Sequence, residues 1–119
     1  MNRQQHLTIG VFAFIIYSYI MFSIVNVYMN VIIYVCVTTI IGSVIPDILE
    51  APTSWMHRGL GHSKRALMLT GKIFIVTTLI GLFSSVIDIF SVFFIVSGFF
   101  LGYVFHLLAD ATTTVGLPD

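Results

Sequence analysis

The sequence contains four long apolar stretches, and the first two, at about residues 7–25 and 31–45, hold no charged side chain. A helix needs about 20 consecutive, mostly apolar residues to cross the hydrocarbon core of a bilayer. Two more such stretches, at about residues 64–84 and 91–111, follow a polar loop at about 46–63. Charged residues make up only 8% of the chain, against about 25% in a soluble domain. The pattern predicts an all-α fold, an integral membrane four-helix bundle.

Chain length and net charge narrow the class of protein further. With 119 residues and so much apolar sequence, we expect residues 1–119 to form a single transmembrane domain. The formal net charge is zero, so nothing in the composition favours nucleic acid as a partner. Arg3 precedes the first apolar stretch, as in a signal peptide, but no small-residue cleavage site follows, and we predict a retained helix.

Single residues in the sequence predict where two helices end or begin, and a pair of glycines predicts a close contact between helices. Pro46 lacks a backbone N–H group and is expected to stop the second helix. The hydroxyl of Ser63 is expected to cap the start of the third helix. Gly98 and Gly102, spaced four apart on the fourth helix, are typical of close helix packing in membranes.

The basic residues predict the orientation in the membrane. With four helices, both termini and the central loop lie on the same side. All five basic residues fall on that side, Lys72 by extending its side chain toward the headgroups. They are Arg3, Arg58, Lys64, Arg65 and Lys72. The positive-inside rule therefore predicts a multi-pass protein of the inner or plasma membrane with cytoplasmic N- and C-termini.

Histidine and aspartate residues converge on the same face. They are His6 before the first helix, Asp47 after the second, His57 and His62 before the third, and His106 and Asp110 near the end of the fourth. His106 and Asp110 are spaced i, i+4 and share one helix face, at a depth where ionisable groups usually face a cavity, a partner or a metal. Imidazole and carboxylate groups suit zinc and also fit manganese or iron. We predict a metal-binding pole at the cytoplasmic face of the bundle.

Most of these residues also have a purely structural explanation. His6 alone can be a solvated residue at the interface, and His57 can belong to the surface of a basic loop. Asp47 after a proline can be a turn or capping residue. Asp110 can neutralise a basic residue of the third helix. The pair of His106 and Asp110 is harder to explain in this way, because two polar groups on one face of a membrane helix need partners.

Three short motifs resemble one known family in their order. They are Ile45-Pro46-Asp47, His57-Arg58-Gly59-Leu60-Gly61-His62-Ser63 and Gly102-Tyr103-Val104-Phe105-His106-Leu107-Leu108-Ala109-Asp110. Together with an early histidine at His6, this combination is similar to the YdjM-like family. Its members are inner-membrane proteins regarded as metal-dependent hydrolases, and they are also described as LexA-binding. The family usually has an acidic residue at the position of Leu49, for which Glu50 is a substitute, and a threonine at the position of Gly61.

A more distant similarity points to the same site. The order His, Asp, His and then His-x-x-x-Asp resembles the first part of the ligand series of zinc-dependent phospholipase C and related zinc nucleases. Carried onto this chain, the ligands are His6, Asp47, His62, His106 and Asp110. The later ligands of those enzymes have no counterpart, because His106 is the last histidine of the chain. The resemblance therefore implies one or two divalent ions, with zinc as the expected metal.

These resemblances imply a hydrolase that acts at the membrane surface. The ligands of the main ion would be Asp47, His62, His106 and Asp110, and the ion would activate a water molecule near neutral pH. His6 completes that site or, with a bridging Asp110, holds a second ion. The candidate catalytic residues are Asp47 and Glu50 as proton acceptors, Arg58 as a phosphate-binding group, and His57 as an outer group, an alternative ligand or a general acid. The expected substrate is a phosphoester in a lipid headgroup, because the site is expected to lie at headgroup depth and to open sideways to lipid.

Two other classes of function remain open. Buried His and Asp side chains also mark permeation paths, so the chain can be a metal-ion or proton carrier. Against this, the polar residues cluster at one face, whereas a path needs them throughout. The LexA-binding description implies instead a non-catalytic membrane anchor for a cytoplasmic protein. Short helices around a polar site would also gain from forming a homo-oligomer.

Overall fold

The computed structural model describes residues 3–25, 29–49, 60–83 and 90–112, together with Leu117. Within these ranges the chain forms four α-helices: α1 (Arg3–Ile24), α2 (Met29–Leu49), α3 (Lys64–Phe83) and α4 (Phe90–Ala111). A short 3₁₀ turn (Leu60–His62) precedes α3. The described part of the chain contains no strand, so the predicted all-α fold is confirmed.

All four helices are long and apolar enough to cross a membrane. His6 near the start of α1 lies close to Asp47 near the end of α2 and to Asp110 near the end of α4. His62, just before the start of α3, lies 3.1 Å from Asp47. Successive helices therefore alternate in direction, and the starts of α1 and α3 share one end of the bundle with the ends of α2 and α4. We call this end the polar pole. The predicted multi-pass four-helix bundle with a polar pole is present in the structure.

Helices α2 and α4 form the centre of the bundle, with α1 packed against both and α3 packed mainly on α4. Glycines allow the central pair to approach closely. A Cβ atom added to Gly102 would overlap the carbonyl oxygen of Thr39, and one added to Gly42 would overlap the carbonyl oxygen of Phe99. Gly98 likewise faces the Val35 carbonyl. The close packing predicted for Gly98 and Gly102 is confirmed, and it brings the end of α2 within reach of the end of α4.

Two apolar clusters fill the bundle. The first comprises Ala13, Tyr17, Val31, Val35, Phe94 and Leu101. The second comprises Tyr103, Leu107 and Leu117, with Ile45, Ala66, Leu67 and Phe99 packed against it. Many other large apolar side chains, such as Phe12, Tyr19 and Phe83, are exposed on the protein surface, where a bilayer would cover them.

Two helix ends differ from the sequence-based expectation by more than two residues. Helix α1 begins at Arg3, about one turn earlier than predicted, because Arg3, Gln4 and Gln5 are good helix formers; His6 therefore lies within the helix rather than before it. Helix α2 continues through Pro46 to Leu49. Near a helix end a proline removes only one backbone hydrogen bond, and Pro46 is itself fully buried, so packing offsets that loss. The bounds of α3 and α4 lie within one residue of those expected.

Candidate metal centre

Among the described residues, five polar side chains meet at the polar pole. They are His6 from α1, Asp47 from α2, His62 from the 3₁₀ turn, and His106 and Asp110 from α4. Four of the five are almost completely buried, whereas the Asp47 side chain is 27% exposed. Ionisable groups buried in a membrane bundle need compensating partners, so this convergence calls for an explanation.

Four of these residues each direct one donor atom toward a common point. The four atoms, from Asp47, His62, His106 and Asp110, all lie within 4.8 Å of one another. His62 Nε2 lies 3.1 Å from Asp47 Oδ1 and 3.3 Å from His106 Nε2. His106 Nε2 lies 3.4 Å from Asp47 Oδ1 and 3.2 Å from Asp110 Oδ2. Asp110 Oδ2 lies 3.9 Å from His62 Nε2.

These separations match the ligand shell of a tetrahedral ion. Nitrogen and oxygen ligands lie about 2.0–2.2 Å from zinc, so neighbouring ligands of a tetrahedral site stand about 3.3–3.6 Å apart. Five of the six separations between the four donor atoms range from 3.1 Å to 3.9 Å, and all six are within 4.8 Å. The two imidazole nitrogens and two carboxylate oxygens could therefore hold one divalent ion.

A backbone carbonyl sets the tautomer of His106. His106 Nδ1 lies 2.6 Å from the carbonyl oxygen of Ser43, and a carbonyl oxygen can only accept a hydrogen bond. Nδ1 therefore carries the proton, and a neutral His106 presents the lone pair of Nε2 to the other three donor atoms. Histidine ligands of metals are commonly oriented by this kind of outer hydrogen bond. The close packing of α2 and α4 makes the contact possible.

The charges at the site also fit a divalent cation. Two carboxylates, Asp47 and Asp110, face neutral or potentially charged imidazoles in a largely buried setting. With neutral histidines the cluster carries two negative charges, and burying unpaired charge is costly. A divalent ion would balance both charges and bind the lone pairs that otherwise face one another.

His6 stands beside the four donor atoms rather than among them. Its ring stacks on His106 with centroids 3.7 Å apart and an interplanar angle of 16°. His6 Nε2 lies 3.3 Å from Asp110 Oδ1 and 4.0 Å from Asp47 Oδ2, which are the carboxylate oxygens that do not belong to the four-atom group. His6 is only 1% exposed, so its interpretation as a solvated interface residue is wrong.

The turn that carries His62 is held from both sides. Ser63 Oγ accepts a hydrogen bond from the backbone N–H of Ala66 at 3.0 Å, which confirms the predicted cap of α3. The hydroxyl of Tyr103 donates to the carbonyl oxygen of Gly61, also at 3.0 Å. Glu50, His57 and Arg58, the other predicted catalytic residues, lie outside the described residues.

Two parts of the site had not been expected from the sequence. The Ser43 carbonyl leaves no mark in the sequence, because every residue has a backbone carbonyl. The role of the Tyr103 hydroxyl had a weaker signal, a polar aromatic residue one turn before His106 on the same helix.

Comparison with known proteins gives one match. A family model described as YdjM inner membrane protein matches residues 1–118. No curated protein and no solved structure matches the chain. The family match agrees with the resemblance drawn from the three short motifs, and it spans every residue of the polar pole.

Proposed function

Since the chain belongs to the YdjM inner membrane protein family, we propose that it is a membrane-embedded, metal-dependent hydrolase that cleaves a phosphoester in a lipid headgroup. The observation that carries this proposal is the buried group of four donor atoms at the polar pole. Their separations and their paired carboxylates fit a divalent ion, for which zinc is the first choice because two histidines and two carboxylates suit it. When bound, such an ion supplies an activated water for hydrolysis near neutral pH.

The residues of the site are proposed to have different roles in metal binding, proton transfer and phosphate binding. His106 holds its ligand nitrogen in place through the Ser43 carbonyl. Asp47 is the ligand with the most solvent contact, at 27% exposure, so it is best placed to accept a proton from an attacking water. Glu50 follows it by three residues and is the second candidate for that role. Arg58 and His57 are proposed to bind a phosphoryl oxygen and to protonate the leaving group.

His6 extends the site toward a second ion. Each carboxylate turns one oxygen toward the four-atom group and the other toward His6 Nε2. Carboxylates that face two positions in this way suit a pair of ions, and metal pairs in hydrolases lie about 3.5–4 Å apart. Metal content would decide the matter. Two ions per chain falling to one in His6→Ala would favour a pair, whereas one ion in both proteins would make His6 an outer residue.

The position of the site favours a lipid substrate. Asp47 and Asp110 lie in the last turn of their helices, where a membrane-spanning segment reaches the headgroups. Exposed basic residues surround the same pole, namely Arg3, Lys64 and Arg65. Cationic side chains at this depth attract anionic phosphate groups.

Purified protein in vesicles of phosphatidylglycerol and phosphatidylethanolamine tests the proposed reaction. We expect phosphoester cleavage, followed by ³¹P NMR, that requires added zinc and is lost in Asp47→Asn. Glu50→Gln separates the two candidate bases, because loss of rate with full metal content would assign the proton transfer to Glu50. Metal-loaded wild-type protein that cleaves none of these lipids would sink the lipid-hydrolase proposal and favour a non-catalytic anchor for a cytoplasmic protein.

A carrier function fits the bundle less well. Beyond the polar pole the bundle contains the first apolar cluster, whose members Val35 and Phe94 are completely buried. An ion crossing the membrane would need polar groups along its whole path. The buried hydroxyl groups of Tyr17, Ser97 and Thr78 in this region are hydrogen-bonded to one another. This interior therefore favours chemistry at one face over transport.

The orientation of the polar pole remains part of the proposal. We expect the pole and both termini to face the cytoplasm, because all five basic residues lie on that side of the predicted topology. A reporter that is active only in the cytoplasm, fused after Asp119, should give signal. Signal only from a reporter that requires the periplasm or cell exterior would place the site on the opposite face.

A further inference from the structure

His62 differs from the other residues of the candidate metal site in the secondary structure on which it lies. His6, Asp47, His106 and Asp110 lie on helices of 21 or 22 residues, whereas His62 ends a 3₁₀ turn of three residues. A 3₁₀ turn has poorer hydrogen-bond geometry than an α-helix and rarely persists alone. A metal ligand must nevertheless be held within about 0.5 Å of its productive position. His62 therefore depends on contacts from the rest of the bundle.

Tyr103 supplies such a contact from α4. Its hydroxyl donates to the carbonyl oxygen of Gly61, the residue before His62, at 3.0 Å. The Tyr103 ring is only 8% exposed and belongs to the second apolar cluster with Leu107 and Leu117. A buried aromatic ring has few accessible rotamers, so the hydroxyl is a rigid support.

The same contact links two parts of the metal centre. Tyr103 lies one turn before His106 on α4, and Gly61 is bonded directly to His62. A shift of the 3₁₀ turn against α4 would change the 3.3 Å separation between His62 Nε2 and His106 Nε2. The Tyr103–Gly61 hydrogen bond resists that shift, while the Ser63 cap fixes the other flank of His62 to α3.

We infer that Tyr103 is a positioning residue of the metal centre, which holds His62 in place for the ion through the Gly61 carbonyl. This inference rests on the proposed metal site but not on the proposed lipid substrate. Outer residues that orient metal ligands typically change metal affinity by about 10- to 100-fold when they are replaced. Phenylalanine retains the ring and its packing, so Tyr103→Phe removes only the hydroxyl.

Zinc affinity of the full chain in detergent provides the first test. Tyr103→Phe is expected to bind zinc about tenfold more weakly than the wild type. Tyr17→Phe is the matched control, because Tyr17 is also buried and its hydroxyl also joins helices, but it lies about 16 Å along α1 from His6. Equal zinc affinity in Tyr103→Phe and the wild type, or equal weakening in the two variants, would overturn the inference.

Hydrogen exchange of residues 60–63 in metal-free protein provides a test that does not depend on the ion. Faster exchange in Tyr103→Phe, with no change in Tyr17→Phe, is the expected result. Unchanged exchange in Tyr103→Phe would overturn this inference but would leave the proposed metal site unaffected. Failure of wild-type protein to bind zinc would defeat the proposed metal site, and failure to cleave lipid with zinc bound would defeat only the proposed reaction.

Discussion

The bundle contains two buried polar clusters that differ in how their hydrogen bonds are balanced. One is the candidate metal centre at the polar pole. The other lies deeper among the helices and consists of Tyr17, Thr78 and Ser97, from α1, α3 and α4. Both join helices that are distant in sequence, and both are largely shielded from solvent. In the second cluster every side chain can remain neutral and still have each hydroxyl hydrogen accepted.

The hydroxyl cluster forms a complete chain of donors and acceptors. Ser97 Oγ donates to the Phe94 carbonyl at 2.8 Å, so its only hydrogen is used. Tyr17 must therefore donate to Ser97 Oγ, at 2.7 Å, and Thr78 donates to Tyr17, at 3.2 Å. Each hydrogen has an acceptor. This cluster needs nothing from outside the protein and joins three helices.

In the candidate metal centre, by contrast, hydrogen-bond acceptors outnumber the available hydrogens. His106 uses its Nδ1 proton on Ser43, and both carboxylates offer only lone pairs when ionised. With neutral histidines and ionised aspartates, three of the four donor atoms (His106 Nε2 and one oxygen each of Asp47 and Asp110) therefore present only lone pairs to one another. A divalent cation would balance this surplus, and protonation of the imidazoles is the alternative. The comparison therefore distinguishes a cluster that satisfies its own hydrogen bonds from one whose lone pairs could bind a metal ion.

The largest expected effect is the loss of metal when a ligand is removed. His106→Ala and Asp110→Ala should each lower zinc affinity by more than about 100-fold, beyond the usual effect of outer residues. All four helices should remain in the membrane, because lipid and helix packing hold them. Elemental analysis of detergent-purified protein and circular dichroism measure the two outcomes.

His57→Ala is the control for that prediction, because the proposed ligand set consists of four other residues, all within the described part of the chain. It should retain stoichiometric zinc. A site that empties in His57→Ala but not in His62→Ala would show that the ligands are assigned incorrectly. Wild-type protein without metal after zinc or manganese is added would mean that protons balance the carboxylates.

An intermediate effect is expected from the contact between α2 and α4. Gly102→Ala places a Cβ against the Thr39 carbonyl and forces the helices apart, which should weaken the bond between the Ser43 carbonyl and His106. We expect lower thermal stability and about tenfold weaker zinc binding.

Gly71→Ala is the matched control, since an added Cβ meets nothing within 4 Å there. It should leave zinc binding unchanged and stabilise α3 by about 0.5–1 kcal/mol. Wild-type zinc affinity in Gly102→Ala would separate the close packing from the site.

The sequence predicts the membrane fold well because lipid imposes simple rules. Apolar length predicts the four helices, and the i, i+4 spacing of His106 and Asp110 predicts their shared face. The convergence of His6 and Asp47 on that face follows from topology alone. Helix ends are predicted less well, since Pro46 continues the helix where its local preference is to stop it.

Features that depend on tertiary contacts could not be predicted. The Ser43 carbonyl acts on His106 only because two glycine-lined helices approach closely, and no side-chain pattern encodes a carbonyl. The Tyr17 hydroxyl cluster has no distinctive sequence signal either, since an isolated Tyr, Thr or Ser in an apolar helix is common. Pairing across three helices becomes visible only in the structure.

The smallest expected effect comes from the hydroxyl cluster and completes the comparison. Tyr17→Phe removes the donor to Ser97 and the acceptor for Thr78 while retaining the ring. Because hydrogen bonds between membrane helices contribute about 0.6 kcal/mol on average and at most about 1.7, we expect a loss of unfolding free energy of about 1 kcal/mol. Zinc affinity should not change, because the cluster is self-satisfied and remote from the site. Unfolding in mixed detergent micelles and zinc titration of the same sample measure both quantities. A change in zinc stoichiometry would mean that the two polar clusters are coupled and that counting hydrogens within each one separately is not sufficient.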